Sequence, residues 1–526
     1  MLRFFTAALA LVALLLPSLA HAEPADIEAA ARGVVRVVVI GRDGTEIFPV
    51  SHGTGWAVGP ETIVTNAHVV SDAKLDETLA VGIVPSDGDE AVYARIGAIS
   101  VRNDLAILTT TTPLRLPPLT LSGIAPGGSG SVFAIGYPMN VDRAQGLEIQ
   151  DIFRAQPPVT SQGFLSGRRP SREMDTLLHT APIAAGNSGG PLVDECGRVI
   201  GVNSFGAESA GTDAEFFFAV SVREILPFLR ANDVTPQINS MPCRSLADLE
   251  ADERARAEAA AEAEKERSAA EEATLSARRA ELRRGVEFAI MDERENRMGL
   301  AFFALILSLG AGGFAWMFHE RREMRGRAIA GSIAVLALVA ALVSWLSRPA
   351  FAEVEDRLED QLRTEMGESD SGTITPPVTQ AGALTCVLDT ERSRVVGQPI
   401  TDIPLSWKGD GCVNERTQYG SADGRWQRVF VPGDEATVSV NTYDPASATF
   451  TTERYLLDRD AMTKARQARA DYEAPSCDAE SGAARDLGDR QANVLALLPQ
   501  RPNERLVYRC TASAENPGSE MQDSLK

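Results

Sequence analysis

The sequence has few of the features that mark metal-binding and nucleic-acid-binding proteins. None of its six cysteines forms a Cys-x-x-Cys or His-Cys cluster with the spacing of a zinc site, so we expect no metal and no cofactor. Basic residues are outnumbered, because 51 Lys and Arg stand against 72 Asp and Glu, for a formal net charge of -21. This acidity argues against nucleic acid and against anionic lipid headgroups as partners.

Proline is absent from a long Ala-, Glu- and Arg-rich segment that follows residue 245. The composition predicts a helical stalk over residues 245–297, up to ~75 Å long at ~1.5 Å per residue. Leu275 and Leu282 are seven residues apart, as in a coiled coil, but alanine fills most other candidate seam positions. A solvated single helix is therefore favoured over a strong zipper, and self-association through the stalk stays open as an alternative.

Charged residues are also absent from two later apolar runs, 298–318 and 328–347. Each run is long enough to cross ~30 Å of hydrocarbon, so both are predicted transmembrane helices rather than buried core helices. Only residues 319–327 separate them, and four arginines in this short segment favour a cytoplasmic loop. The lipid bilayer is thus an expected partner.

Three short segments in the first 200 residues supply a histidine, an aspartate and a serine in that order: His68, Asp104 and Ser188. A serine hydroxyl is a poor nucleophile until an imidazole takes its proton, and a buried carboxylate holds the imidazole in one tautomer. Attack on an amide also builds negative charge on the carbonyl oxygen, which needs preorganised donors. The backbone N–H groups of Gly186 and Ser188 are the candidates, because glycines beside the serine allow the backbone to turn.

Each of these segments also has a purely structural explanation. The Asn-Ser-Gly-Gly-Pro run beginning at residue 187 is a plausible turn, Asp104 could begin a strand, and His68 could be a core residue. Taken singly, the structural explanation is favoured for the histidine and the aspartate. Together the three motifs favour catalysis, because they occur in the right order and each lies beside an apolar, strand-like run.

The order His, Asp, Ser is that of trypsin-like peptidases and differs from the orders of α/β-hydrolases and subtilisins. Residues 27–232 resemble a trypsin-like serine peptidase of the HtrA/Deg branch, through the three motifs and through segments 53–58, 134–138 and 159–167. The resemblance implies an all-β fold of two six-stranded barrels, with the site in the cleft between them. HtrA relatives usually carry a PDZ domain where this sequence has the stalk, and no PDZ domain is recognisable here.

The resemblance also implies which residues form the pocket that selects the substrate: Pro182, Ser204, Phe205, Gly206 and Phe218. Pro182 stands where trypsin itself has an aspartate, so cleavage after Lys or Arg is not expected. The phenylalanines predict a shallow apolar pocket for Ala, Val or similar side chains, unless they face the core. Ser204 is expected to support Asp104, and His179 is interpreted as structural.

The N-terminal sequence determines the expected location. Residues 1–22 combine an early arginine, an apolar run and an Ala-His-Ala end, which predicts a cleavable secretory signal with a mature chain from Glu23. If the signal were retained it would anchor the protein, and the peptidase would still face outward. A translocated N-terminal domain followed by two spans returns the C-terminal region to the same side. We therefore expect a bacterial inner-membrane protein with its peptidase and C-terminal domains in the periplasm.

All six cysteines fall in segments assigned outside the cytosol, where disulfides are expected. The membrane hairpin divides them into one pair and one set of four, so Cys196 with Cys243 is the first pairing to expect. The other four allow three pairings, and the sequence does not choose among them: Cys386, Cys412, Cys477 and Cys510.

The remaining sequence predicts a helix and linker over 353–382 and a small α+β extracytoplasmic domain over 383–526. Trp426 to Phe430 and Ala436 to Thr442 alternate like strands, and Asp458 to Tyr472 has a helical pattern. We recognise no family resemblance and no catalytic constellation in this domain. Sensing a ligand, binding substrate and contacting a partner are all open to it.

These features together predict a membrane-anchored serine endopeptidase that cleaves exposed or unfolded protein segments through a covalent acyl-enzyme. Protein quality control and regulated cleavage of a nearby protein both fit this activity. The competing hypothesis is a latent or catalytically weak peptidase fold that acts as a scaffold or sensor through partner binding. A third alternative, hydrolysis of esters, uses the same machinery.

Overall fold

The computed structural model describes residues 24–88, 91–124, 126–170, 174–206, 216–369, 382–422, 424–477 and 482–513. The expected signal sequence at 1–22 lies outside the described residues. The chain divides into two compact units, one formed by residues 1–253 with 377–526 and the other by residues 254–376.

The first unit begins with helix α1 (Pro24–Arg32) and a closed barrel of six strands in the order β1-β2-β3-β6-β5-β4. Strand β1 is rich in valine and buried from Val34 to Ile40, because it pairs with β2 on one side and β4 on the other. Helix α2 (Ala67–Leu75) follows β3 directly. The strand bounds are Val34–Asp43, Glu46–Ala57, Thr62–Thr65, Ala80–Val84, Val92–Ser100 and Leu105–Thr110.

A second ring closes in the order β8-β9-β10-β13-β12-β11, because β11 pairs with both β8 and β12. Short strands β7 and β14 extend the sheet beyond β12. These two closed six-stranded barrels confirm the expected double-barrel architecture. The strand bounds, from β7 to β14, are Leu121–Ser122, Ser131–Gly136, Val159–Pro170, Asp175–His179, Pro191–Val193, Val199–Gly206, Phe217–Ser221 and Ile238–Asn239.

Two helices and a 3₁₀ turn complete the second barrel. Helix α3 (Met139–Ala144) and the 3₁₀ turn Ile149–Phe153 lie between β8 and β9. Helix α4 (Val222–Ala231) begins where the Ser221 hydroxyl accepts a hydrogen bond from the Arg223 N–H, as an N-cap does. Its buried face, which includes Ile225 and Leu229, packs into a core shared by both barrels.

The described residues of the second unit belong mainly to three helices: α5 (Leu246–Glu320), which begins within the first unit, α6 (Met324–Leu346) and α7 (Glu353–Ser369). The sequence predicted a stalk and a separate first span, whereas α5 runs through both as one helix, about 110 Å long at ~1.5 Å per residue. No proline lies at the boundary, so the backbone hydrogen bonds of the helix continue through it. Helices α5 and α6 are both long and apolar enough to cross a membrane.

Helix α7 packs on α5 within this unit. Val354 is buried with Val286 and Ile290 of α5, and the Arg357 guanidinium lies 3.4 Å from the Glu293 carboxylate. The two apolar helices also contact each other, because the Ser308 hydroxyl donates to the Ala334 carbonyl at 2.9 Å. The buried positions of α6 are small residues, which permit this close approach: Ala330, Ala337, Ala341 and Ser344.

The C-terminal part of the first unit is a nine-stranded antiparallel sheet with two helices, which we call the sheet domain. The strand order is β18-β17-β16-β15-β23-β22-β21-β20-β19, and its two end strands are separated in sequence only by Tyr419, so the sheet must curl. Helices α8 (Arg459–Ala470) and α9 (Ala483–Leu495) cover one face. The strand bounds, from β15 to β23, are Gly382–Leu388, Asp402–Trp407, Cys412–Val413, Thr417–Gln418, Gly420–Ala422, Arg425–Phe430, Thr437–Asp444, Thr449–Leu456 and Glu504–Ala512.

All six cysteines form disulfides. Cys196 pairs with Cys243, the pairing that the sequence favoured first. Among the four later cysteines, Cys386 pairs with Cys510 across neighbouring strands, and Cys412 pairs with Cys477.

The sheet domain packs directly on the barrels. Asp26 of α1 forms a buried ion pair with Arg394, and both side chains are almost fully inaccessible to solvent. The Arg394 Nε–H also donates to the Arg244 carbonyl at 2.7 Å, and the Asn239 amide donates to the Val395 carbonyl at 2.6 Å. Residues that precede the two apolar helices in the sequence thus share one hydrogen-bonded interface with residues that follow them.

Candidate active site

Three separate elements bring the candidate catalytic residues together. His68 lies in the first turn of α2, directly after β3, and Ser188 lies in the loop between β10 and β11. Asp104 is in the turn between β5 and β6 with a φ of 48°, a left-handed conformation that is uncommon for a residue other than glycine.

Asp104 accepts hydrogen bonds from three donors. The His68 Nδ1 atom lies 2.9 Å from Asp104 Oδ2 and 3.0 Å from Oδ1, and the His68 backbone N–H donates to Oδ1 at 3.1 Å. The Ser204 hydroxyl donates to Oδ2 at 2.6 Å. The carboxylate favours the tautomer with hydrogen on Nδ1, and in that tautomer the opposite ring nitrogen of His68 is the one that can accept a proton.

The same contacts keep Asp104 ionised. Burial alone would raise the pKa of this carboxyl, but the hydrogen bonds from His68 and Ser204 outweigh burial and hold the pKa below its usual value. A charged Asp104 stabilises an imidazolium on His68.

The Ser188 hydroxyl faces Ser204. It donates to the Ser204 backbone carbonyl at 2.9 Å, and within the described residues no hydrogen bond joins it to His68. Ser204 therefore contacts two of the three candidate catalytic residues, Asp104 through its hydroxyl and Ser188 through its carbonyl. A rotation about the Ser188 Cα–Cβ bond would be needed to bring the hydroxyl toward His68.

The loop before Ser188 requires a glycine and leaves two backbone N–H groups without acceptors among the described residues. Gly186 has a φ of 99°, and a Cβ there would collide with the Tyr137 carbonyl oxygen, so only glycine fits. The Thr54 hydroxyl donates to the Gly186 carbonyl at 2.7 Å, and the Thr54 N–H donates to the Ser188 carbonyl at 2.9 Å. In the described part of the chain the N–H groups of Gly186 and Ser188 have no acceptor, so both are available to an anionic oxygen.

A buried charged cluster that the sequence analysis missed lies beside this loop. The Arg36 guanidinium is 1 % exposed, lies 3.0 Å from Asp142, and stacks over the Tyr137 ring at 4.7 Å. His52 lies 3.5 Å from Asp142, and burial together with Arg36 lowers its pKa to about 4. The available signal was the single arginine in the valine-rich run of β1, since an unpaired charge is rarely buried.

The predicted specificity residues are only partly brought together. Phe205 and Phe218 stack with ring centroids 4.9 Å apart next to Ser204, and Gly206 continues the same strand. Pro182 is exposed. Residues 207–215, which follow Gly206, lie outside the described part of the chain.

A cavity of about 650 Å³ adjoins the His68 ring. Ser204 and Phe205 line it, but so do apolar residues that the sequence did not single out: Leu75, Ile99, Val101 and Met174. Leu75 and Val101 are 86 % and 84 % exposed, and the sequence alone does not predict that these apolar side chains face solvent. We call this cavity the cleft pocket.

His179 is fully buried on β10, in register with Phe217 of β13. Burial lowers its pKa to about 4, and the nearby Ala181 backbone and Asn203 side chain offset this only in part. These surroundings agree with a structural interpretation. Across the described residues, no group of three or more His, Cys, Asp or Glu side chains is arranged to hold a metal ion.

Comparison with known proteins identifies the class. Residues 53–202 match the family described as "Trypsin-like peptidase domain", and this stretch of the chain is such a domain. The match covers the His68, Asp104 and Ser188 segments.

The curated relatives are named as serine proteases, and HTRA2 and HTRA4 are among them. The chain is 34 % identical over 190 residues to "Serine protease HTRA2, mitochondrial" of Bos taurus, covering 34 % of this chain and 37 % of the relative. It is 30 % identical over 206 residues to "Serine protease Rv3671c" of Mycobacterium tuberculosis, covering 37 % and 46 %. The chain thus spans less than half the length of these curated relatives. A crystal structure of the serine endoprotease from Yersinia pestis aligns at 24 % identity over 40 % of this chain and 65 % of that one, with a TM-score of 0.31.

Proposed function

We propose that the protein is a membrane-anchored serine endopeptidase with His68, Asp104 and Ser188 as catalytic residues. The observation that carries the proposal is the orientation of the His68 ring by Asp104, with Ser204 hydrogen-bonded to both the aspartate and the serine. The trypsin-like peptidase domain supports the same reaction class.

In the proposed reaction the Ser188 oxygen attacks the carbonyl carbon of the scissile amide while His68 accepts the hydroxyl proton. The Asp104 carboxylate stabilises the resulting imidazolium, and the N–H groups of Gly186 and Ser188 donate to the oxyanion. The C–N bond then breaks, the amine leaves with the proton from His68, and an acyl ester on Ser188 remains. Water, deprotonated by His68, hydrolyses this ester and restores the serine.

Exposed or unfolded protein segments with small apolar residues before the scissile bond are the proposed substrates. The stacked Phe205 and Phe218 rings support this preference, as does a proline, Pro182, at the position where trypsin has an aspartate. Digestion of a peptide library tests it, and consistent cleavage after basic or acidic residues would rule it out. Protein quality control and regulated proteolysis both remain compatible with such a specificity.

The proposed location is the bacterial inner membrane, with the peptidase and sheet domains in the periplasm. Two apolar helices and three disulfides support it, because disulfides persist in oxidising compartments. The buried pair of Asp26 with Arg394 adds a further argument, since it requires the segments before and after the two helices to lie on one side. Protease accessibility of tags at residues 240 and 513 in spheroplasts measures this directly.

A latent peptidase fold that acts as a scaffold or sensor is the second candidate. It is favoured by one observation, the Ser188 hydroxyl that donates to the Ser204 carbonyl instead of His68. On this hypothesis an activating event would have to turn the serine toward the imidazole.

Labelling with a fluorophosphonate probe separates the two candidates. Purified full chain is compared with Ser188→Ala and with a form that lacks residues 245–526. Labelling that depends on Ser188 supports an activated nucleophile, and a rate that changes on truncation shows that the rest of the chain regulates it. Folded protein that never labels would contradict the endopeptidase proposal. Turnover of protein and ester substrates then separates peptidase from esterase activity.

A further inference from the structure

A second cavity, of about 940 Å³, lies between the second barrel, helix α1 and the sheet domain. Its lining shares no residue with the cleft pocket beside His68. We call it the α1 groove.

The floor of the α1 groove is one face of a two-strand ladder. Thr160, Gln162 and Phe164 alternate along β9, so their side chains share one face of the sheet. Phe164 and Gln162 pair in register with Ser131 and Phe133 of β8, which complete the floor. Phe164 is 62 % exposed, although it lies in the middle of a sheet. Phe164 lines the groove together with Ile27, Phe133 and two prolines, and such a contiguous apolar patch is a usual feature of a binding surface.

One wall of the groove is the face of α1 that carries Ile27, Glu28 and Ala31, residues spaced three and four apart. Pro157 and Pro158 also line the groove, and their rings restrict the backbone there. Helix α1, the strand ladder and the two prolines are regular or restrained elements, so the groove is preformed.

The charge at the rim is negative. Three carboxylates line the groove, Glu28, Asp87 and Asp458, against one guanidinium, that of Arg32. Arg32 already donates to the Leu456 carbonyl at 2.8 Å, and Asp458 accepts from the Ala461 N–H as the N-cap of α8. Within the described residues neither Glu28 nor Asp87 forms a close ion pair, but both interact with the Arg32 guanidinium at longer range. The lining still carries more carboxylates than guanidinium groups, so it attracts a cation.

We propose that the α1 groove is an exosite for an extended segment of another polypeptide in which Lys or Arg alternates with apolar side chains. The apolar residues would pack on Phe164 and the ladder face, and the cations would pair with Glu28 and Asp87. Alternation matches the groove, because an extended peptide presents successive side chains to opposite sides, one toward the floor and one toward the rim.

The test uses full-length protein carrying Ser188→Ala, so that nothing is cleaved, in micelles of a neutral detergent. The probe is a fluorescein-labelled octapeptide of alternating valine and lysine, and binding is followed by fluorescence anisotropy. We expect saturable binding that weakens as salt is added. An octapeptide of alternating valine and glutamate should bind at least about tenfold more weakly, because it meets carboxylates at the rim.

Two variants with matched controls locate the site. Phe164→Ser should weaken binding about tenfold or more, because an aromatic contact surface is lost. Tyr93→Ser, which removes an exposed aromatic of β5 away from the groove, should leave it within about twofold. The pair Glu28→Gln with Asp87→Asn should reduce both affinity and its salt dependence. Asp43→Asn with Glu46→Gln removes two exposed carboxylates from the first hairpin and should change neither.

Several results would overturn the proposal. These are equal binding of the two octapeptides, no saturable binding, or loss of binding with Val101→Ser in the cleft pocket and not with Phe164→Ser. A Phe164→Ser variant that turns an oligomer into a monomer would assign the groove to a second copy of the chain. Binding that appears only after residues 514–526 are removed would assign it to that segment. The binding assay needs no hydrolysis, so its outcome is independent of the endopeptidase proposal.

Discussion

At the scale of single residues, Ser204 connects the parts of the candidate site. Its hydroxyl donates to Asp104 and its carbonyl accepts from the Ser188 hydroxyl, so one residue both supports the histidine–aspartate pair and restrains the proposed nucleophile. These two contacts respond differently to substitution, because only the hydroxyl belongs to the side chain.

Replacing Ser204 by alanine should lower kcat/KM roughly tenfold, because a hydrogen bond to a charged group contributes about 1.5 kcal/mol or more. The loss should appear in kcat with KM little changed, since the hydroxyl acts on Asp104 and not on substrate. Steady-state kinetics on a peptide substrate measures both constants. Ser122→Ala, on β7 and remote from the site, should retain the original values; equal kinetics for both variants would contradict the role given to Ser204.

The Gly186→Ala variant should lose activity by about 100-fold or more. Its new Cβ collides with the Tyr137 carbonyl and meets a backbone φ of 99°, so the peptide that carries the Gly186 N–H must move away from the oxyanion position. Gly59→Ala is the matched control, because a Cβ at Gly59 makes only ordinary contacts with Thr62. Fluorophosphonate labelling rates measure the effect, and comparable rates for the two variants would refute the assignment.

The sequence was sufficient to nominate His68, Asp104 and Ser188, because reaction chemistry fixes both the residue types and the glycines around the serine. It could not give the direction of the Ser188 hydroxyl, which depends on a carbonyl 16 residues further along the chain. It also missed Arg36, since a strand pattern read from neighbours does not show that Asp142, 106 residues away, supplies the counter-charge.

At the scale of elements, the sequence patterns predicted individual strands and helices but not which strands pair with each other. The β-branched run of β1 and the helical pattern after Asp458 depend on neighbouring residues, and the structure has a strand and a helix at these places. The order of the curled sheet depends on distant partners such as β15 and β23, which no local pattern encodes. The continuity of α5 was missed because composition changes at residue 298 while helix propensity does not.

His179, buried where β10 pairs with β13, should make the stability of the fold depend on pH. The pKa of His179 is about 4 in the folded protein and about 6.5 in an unfolded chain. Between these values the unfolded state binds the extra proton, so stability falls as the pH drops from about 6.5 toward 4. The loss attributable to His179 is at most about 3–4 kcal/mol.

His179→Leu should therefore make thermal unfolding of the full chain less sensitive to acid. We expect the drop in melting temperature between pH 7 and pH 4.5 to shrink relative to the unmodified protein, although His52 preserves part of it. His319→Leu replaces an exposed histidine at the end of α5 and serves as the control. An unchanged acid response in the His179 variant would mean that this group already titrates normally.

At the scale of the whole molecule, the peptidase and sheet domains share a buried ion pair. Asp26 and Arg394 are 1 % and 2 % exposed, and the Asn503 amide also donates to Asp26 at 3.2 Å. Removing one partner of such a pair leaves an uncompensated buried charge, which typically costs about 3–5 kcal/mol.

Asp26→Ala should accordingly lower the thermal stability of the first unit and expose the junction between its two domains to limited proteolysis. The double variant Asp26→Leu with Arg394→Met should be more stable than Asp26→Ala, because no lone charge remains buried. Asp43→Ala removes an exposed carboxylate and should change the free energy of unfolding by less than about 0.5 kcal/mol. If Asp26→Ala behaved like Asp43→Ala, the ion pair would contribute little to docking.

The same ion pair sets an order of events during synthesis. Asp26 and Arg394 are 368 residues apart, and a ribosome that adds about 5–20 residues per second needs roughly 20 to 70 s to pass from one to the other. The barrels leave the ribosome first, and the two apolar helices follow before any of the sheet domain is made. For tens of seconds after synthesis, the Asp26 carboxylate of the peptidase domain therefore has no Arg394 guanidinium to pair with. During that interval the surface that the sheet domain later covers is accessible to chaperones and proteases.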